Sequence, residues 1–210
     1  MNLIVGIFII SILTTISNVG IDYIIRDKDN KFIKKKKEFY KSKEIIFTNL
    51  FSIVMEISLF ILIGQGNFFY MCYAMTLIFF RIAIIDYKTK YIDNKLLIMF
   101  LVISIVSLVI NNNGSFLNCL LTGVGAYLIF SLMSKLTNEA IGKGDAKIFG
   151  VLGLIFGFNG LLSILFGASM IVFCVSIFLL IKSRENKNKE LPFTPYIFAS
   201  LILMLIVNNI

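Results

Sequence analysis

The sequence has no histidine among its 210 residues. That removes Ser-His and Cys-His nucleophile pairs and histidine-ligated zinc from the chemistries open to it. Cysteine is scarce as well. Cys72, Cys119 and Cys174 lie far apart, each inside an apolar stretch and with no Cys-x-x-Cys spacing, so they read as small buried hydrophobes rather than as metal ligands or a redox pair. Charged residues make up only 15% of the chain, and the reactive groups left are carboxylates and lysines.

Apolar side chains fill the rest. At 58% hydrophobic residues and a mean hydropathy of +0.91, the chain exceeds the roughly half expected of a soluble domain. It reads as a polytopic membrane protein, and because lipid offers backbone groups no hydrogen bonds, its spans must be helices. Apolar runs over 2–25, 45–64, 68–85, 96–110, 116–136, 147–158, 161–181 and 193–210 predict an all-α bundle of about eight transmembrane helices. At this length residues 1–210 form a single integral-membrane domain. The first run is long and no small-residue cleavage site follows it, so it is expected to stay in the mature protein. The run 147–158 is short against the roughly 20 residues of a full span. Its Gly150, Gly153 and Gly157 fall near one helical side and suit close helix contact.

The net charge is +8, and every Lys and Arg except Arg81 falls within 26–44, 88–95, 135–147 or 182–189. The uncharged joints at 65–67, 111–115 and 159–160 alternate with these. Eight spans therefore put all basic connections on one face, which the positive-inside rule makes cytoplasmic, with both termini outside. The basic residues answer to orientation and anionic lipid, not to nucleic acid. The first connection, 26–44, contains Lys34-Lys35-Lys36-Lys37 and no ligand set for structural zinc.

Two acidic motifs open onto that face. Gly142-Lys143-Gly144-Asp145-Ala146-Lys147 precedes one apolar run, and Asp86 ends another, opening Asp86-Tyr87-Lys88-Thr89-Lys90-Tyr91-Ile92-Asp93-Asn94. Two carboxylates sharing a site cannot easily both ionise, and such a pair can activate a water and protonate a leaving amine, which is aspartic peptidase chemistry. Asp145 would stand at a helix N-terminus, where the dipole favours its anion; Asp86 ends a helix, where its anion is disfavoured, so the proton is expected on Asp86. Gly142 and Gly144 allow positive φ and let a substrate strand approach. By position alone, Asp145 reads sooner as an ordinary helix N-cap and Asp86 as a polar residue at a membrane boundary than as a catalytic pair. The same carboxylates could seat a metal, or belong to a small cation- or proton-coupled transporter. A transporter should show an internal repeat with paired broken helices, and the two aspartate motifs differ in sequence and in the kind of helix end they occupy. Glu56, midway along its run, is expected to hydrogen-bond a polar neighbour inside the bundle.

Residues 142–150 resemble the Gly-x-Gly-Asp-x-Lys signature of bacterial type IV prepilin peptidases, and Asp86 to Ile92 resembles their first aspartate motif. Leu191-Pro192-Phe193-Thr194-Pro195-Tyr196 is similar to the family's Pro-Phe-x-Pro element. Ser17-Asn18-Val19 with Arg26 is similar to the end of its first helix. The resemblance implies Asp86 and Asp145 as the catalytic pair of an intramembrane aspartic peptidase, with Gly142, Gly144 and Lys147 in support. It implies prepilin-like membrane proteins as substrates, the bacterial cytoplasmic membrane as location, an active site facing the cytoplasm, and no metal or cofactor for cleavage. Another Gly-x-Gly-Asp peptidase with non-pilin substrates is the nearest alternative. Where the family has Ile-Pro-Asn, this chain has Ile92-Asp93-Asn94, which leaves Asp93 as a supporting or competing carboxylate at the same mouth. Many members also methylate the new amino terminus with S-adenosylmethionine through an Arg-Tyr-Pro…Glu stretch. Here the corresponding stretch is Lys41-Ser42-Lys43-Glu44, so Glu44 alone matches.

Overall fold

The computed structural model describes residues 12, 14, 15, 42–63, 67–110, 116–137, 142–182 and 191–207. Among the described residues the elements are six helices: α1 Ser42–Ile63, α2 Asn67–Thr89, α3 Asn94–Ile110, α4 Phe116–Leu136, α5 Lys143–Lys182 and α6 Thr194–Val207. Two of them, α4 and α5, are long and apolar enough to cross a membrane by length and composition, and shorter apolar stretches occupy Thr48–Ile61, Asn94–Val109 and Thr194–Val207. The all-helical architecture is the one that a chain this apolar must adopt. The first expected span, 2–25, and most of the basic connection 26–44 lie outside the described residues.

The two runs expected at 147–158 and 161–181 both belong to α5, which starts at Lys143 and breaks at Gly157. Gly157 has φ 63° and ψ −168°, a region open essentially to glycine alone. The joint thus sits ahead of the expected Asn159-Gly160. Contacts with α6 show what the break does. Phe149 in the first half packs edge-on against Phe193, just ahead of α6, at 6.1 Å. In the second half, the Ile164 carbonyl accepts a 2.8 Å hydrogen bond from Ser200 Oγ, and a Cβ on Gly160 would touch Met204. Rising numbers on α6 meet falling numbers on this second half, so the chain turns back at Gly157. The first half, about 20 Å long, does not cross a hydrocarbon core of about 30 Å by itself.

Its tightest neighbour is α4. A Cβ on Gly153 would lie 2.9 Å from Gly123 Cα, and one on Gly123 would lie 2.9 Å from the Gly150 carbonyl oxygen. Between helices in lipid there is little hydrophobic driving force, so such backbone approach, with its dense dispersion contacts, is what holds the pair. Phe130 on Phe149, at 4.3 Å, closes the same contact nearer the polar end.

The core lies where α2, α3, α5 and α6 meet. Phe79 stacks on Phe100 at 5.2 Å and meets Phe198 edge-on at 5.6 Å, while Phe80 approaches Phe198 at 5.5 Å. Such pairs are each worth about 0.5–1.5 kcal/mol beyond the area they bury. Polar pairs tie α1 to α2. Thr76 Oγ1 stands 2.8 Å from Glu56 Oε1 in the buried interior, and Arg81 reaches Thr48 Oγ1 at 3.3 Å and also the Asn49 side-chain oxygen. Glu56 thus has a polar partner on the neighbouring helix.

Candidate active site

α2 ends beyond its apolar stretch, in a turn that fixes Asp86. Lys90 has φ 53°, and its N–H bonds the Asp86 carbonyl at 2.8 Å, the single five-to-one bond of a left-handed helix cap. That cap redirects the chain, and Ile92 tucks in, buried, before α3 begins. Asp93 Oδ1 accepts the Lys95 N–H at 3.0 Å while the Asp93 carbonyl accepts Leu97 N–H at 3.1 Å, so Asp93 is the N-cap of α3.

At α5 the order of the residues sets the geometry. Gly142 occupies the cap position, with its carbonyl accepting Ala146 N–H at 3.3 Å. Asp145 falls in the polar first turn, ahead of the apolar stretch. Its carboxylate reaches back to the Gly142 N–H, which is the return half of a capping box. Asp145 is therefore not the N-cap itself. Gly144 is helical rather than left-handed, and a Cβ there would lie 2.5 Å from Ile92 Cδ1. The glycine is required by the close approach of the α2–α3 connection, not by positive φ.

The third contributor is the start of α6. The Phe193 carbonyl accepts Tyr196 N–H at 3.0 Å and Ile197 N–H at 3.2 Å, which leaves the Thr194 N–H in the first turn without an intrahelical partner. That N–H and the Thr194 hydroxyl bond the Asp86 carboxylate, and the hydroxyl also stands 3.0 Å from Asp145 Oδ1. Thr194 is fully buried and joins the two carboxylates. Asp86 Oδ2 is buried and has no hydrogen-bond partner among the described residues.

Both carboxylates line one cavity of about 760 Å³, together with Gly142, Gly144, Lys147, Lys90, Lys143, Asn94 and the 191–193 segment. Burial pushes the Asp86 carboxyl above the ordinary carboxylate range, against the lowering effect of the Thr194 bonds. Burial, and next the charge of Asp86, push Asp145 up to about 6. Two carboxylates coupled in this way titrate as a pair, and the pair keeps one proton well above the pH at which a free carboxyl loses its own. The expectation that Asp86 alone is disfavoured as an anion changes here, because the N-terminus of α6 is aimed at it.

The structure brings Asp86, Asp145, Gly142, Gly144 and Lys147 to this cavity. Asp93 is not among the lining residues, and its carboxylate serves the α3 cap. Glu44 falls in the first turn of α1, with its side chain outside those described; Ser17, Asn18 and Arg26 also lie outside the described residues. Two further residues, to which neither aspartate motif gives a role, complete the site. Thr194 was visible only as part of the 191–196 element. Asn94 accepts a 3.0 Å hydrogen bond from Lys147 Nζ, holding that lysine at the rim. Among the described residues no group of three or more acidic or cysteine side chains is placed to hold a metal.

The sequence profile of the type IV leader peptidase family matches residues 73–180, which include both aspartates. A curated relative from Bacillus subtilis (strain 168), prepilin leader peptidase/N-methyltransferase, is 29% identical over 122 residues, covering 58% of this chain and 49% of the relative. The chain thus spans about half the length of the curated relative it matches. No solved structure matches the chain.

Proposed function

Since the chain belongs to the type IV leader peptidase family, we propose that it is a membrane-embedded aspartic endopeptidase. It removes the leader from type IV prepilin-like precursors at the cytoplasmic face of the bacterial cell membrane. The observation that carries the aspartic mechanism is the pair of carboxylates, Asp86 buried and Asp145 half-buried, joined through Thr194 at the wall of one cavity. In the working state one carboxyl is ionised and the other protonated. The ionised carboxylate takes a proton from water as the water oxygen adds to the scissile carbonyl carbon, and the protonated carboxyl gives its proton to the carbonyl oxygen. The gem-diol intermediate then collapses: the proton taken from water passes to the leaving amine, the C–N bond breaks, and as the carbonyl re-forms one gem-diol hydroxyl returns its proton to the second carboxylate. One water is consumed and the dyad returns to its single-proton state. Thr194 keeps the carboxylates in register throughout.

The basic connections 88–95 and 135–147 flank the two motifs, which supports the cytoplasmic orientation. The cleavage needs no metal or cofactor. S-adenosylmethionine belongs to a second reaction, methylation of the new amino terminus. The residue the sequence offers for that reaction is Glu44.

Co-expression with a leader-bearing pilin-like precursor tests the reading by the size of the product. The unaltered protein should shorten the precursor. Asp86→Asn and Asp145→Asn should each leave it full length while reaching the membrane at near-normal level, and the double variant should lose nothing further. Asp93→Asn, altered at the α3 cap, should still cleave. Processing by both single variants would refute the aspartic mechanism.

A further inference from the structure

Beside the dyad cavity lies a second cavity, of about 780 Å³ and different character. Ile98 and Leu101 of α3, Val124 and Leu128 of α4, and Val151 and Leu154 of α5 line it. It exists because α3 and α4 scarcely touch each other while both pack on α5, whose first half floors a trough between them. The close crossing of Gly123 with Gly150 keeps that floor thin. Exposed apolar side chains carry no message by themselves in such a chain, since lipid tails cover them as well as protein does.

Two features separate this trough from an ordinary lipid-facing surface. It is concave, and it adjoins the dyad cavity, because Asn94 and Lys147 line both. Their 3.0 Å hydrogen bond forms the sill between the two. From the sill the trough follows α3 from Asn94 to Leu101, about 10 Å away from the polar mouth.

We infer that the trough holds the apolar membrane helix of the leader-bearing substrate, with the segment just ahead of that helix crossing the Asn94–Lys147 sill into the dyad cavity. The inference rests on the peptidase reading and deepens it by naming where the substrate lies. A chain cut at the dyad must continue out of that cavity, and the trough is an apolar exit that shares its wall. A helix of about 10 Å diameter finds there the concave bed and close backbone approach on which helix association in lipid depends.

The test uses the full chain in membranes. A photo-crosslinking residue is placed at Ile98, Val124 or Leu128 in protein carrying Asp145→Asn, and a leader-bearing pilin-like precursor is co-expressed. All three positions should capture the precursor through its apolar helix, and the same residue at Phe166, exposed on the second half of α5, should not. Capture of a second copy, of lipid alone, or of precursor equally from Phe166 overturns the inference. In active protein, Ile98→Trp and Val124→Trp should raise KM for the full precursor about tenfold. They should leave unchanged the cleavage of a soluble peptide with leader and cut site but no apolar helix. Equal loss on both substrates overturns the inference. Failure of the unaltered protein to cleave either substrate would instead sink the peptidase reading, and the crosslinking would still decide the trough.

Discussion

Thr194 offers the most discriminating perturbation of the site. Thr194→Val keeps the shape of a fully buried side chain and the backbone N–H to Asp86, and removes only the hydroxyl that stands 3.0 Å from Asp145 Oδ1. A hydrogen bond to a charged group is worth about 1.5–3 kcal/mol. One pKa unit corresponds to about 1.4 kcal/mol, so losing the bond should raise Asp145, already pushed up to about 6, by about one to two units. The sign follows from the direction of donation. The hydroxyl stabilises the ionised carboxylate, and its removal favours the protonated form. In the proposed mechanism the active state holds one shared proton, so the alkaline limb of kcat/KM should move to higher pH. The plateau rate should fall at least about tenfold as the carboxylates lose their common anchor. The assay is precursor cleavage in detergent across the pH range, and Thr194→Ser should restore both limb and rate. An unchanged limb with an unchanged rate would refute the bridging role. A downward shift would show that the hydroxyl accepts from Asp145 rather than donating to it.

The other expectations follow from single features. Asp145 is raised from 3.8 to about 6, so between those values the native state binds a proton that the unfolded chain has released. Stability should therefore fall as pH rises through that window, by on the order of 3 kcal/mol, and thermal unfolding of Asp145→Asn in detergent should lose this slope. Gly157→Ala forces a side chain into φ 63° and sets its Cβ 3.1 Å from Asn118 Nδ2. It should destabilise the protein by about 1–3 kcal/mol in the same assay, and an unchanged melting temperature would count against the reversal. Because 26–44 carries neither thiolate nor imidazole, cleavage should survive chelator treatment, and loss of activity restored by zinc would contradict that.

Much of the fold was legible because lipid permits so few solutions. An apolar chain with punctuated runs has to be helical, and the starts of α4 and α6 and the end of α3 follow from where those runs begin and end. The α5 reversal was legible only in part. Asn159-Gly160 has the composition of a turn, and the spacing of Gly150, Gly153 and Gly157 reads as a packing side. Gly153 does meet α4 in that way. Gly157 has a different task, a conformation that other residues rarely adopt, and no periodicity separates a glycine needed for closeness from one needed for its backbone angles.

The carboxylates stood out because acidic residues are rare in such a chain, and each sits where an apolar run stops. Their surroundings were harder to read. Asp93 and Asp86 share one short polar segment, and the hydrogen bonds, not the spacing, separate them: Asp93 spends its oxygen on the Lys95 N–H, whereas Asp86 faces inward to Thr194. Thr194-Pro195 reads as the opening of a helix, and so it is. The residue acquires its further role because α6 starts beside the end of α2, which leaves a first-turn N–H and a hydroxyl aimed at someone else's carboxylate. The same neighbour undoes the dipole argument for Asp86. A helix terminus acts over about one turn, so the terminus that counts is the one nearest in space. For Asp145 that is the start of its own helix. For Asp86 it is the start of α6, and both acids therefore face positive helix ends while burial and their mutual repulsion oppose ionisation. The balance that leaves one proton between them belongs to the assembled bundle, not to either motif.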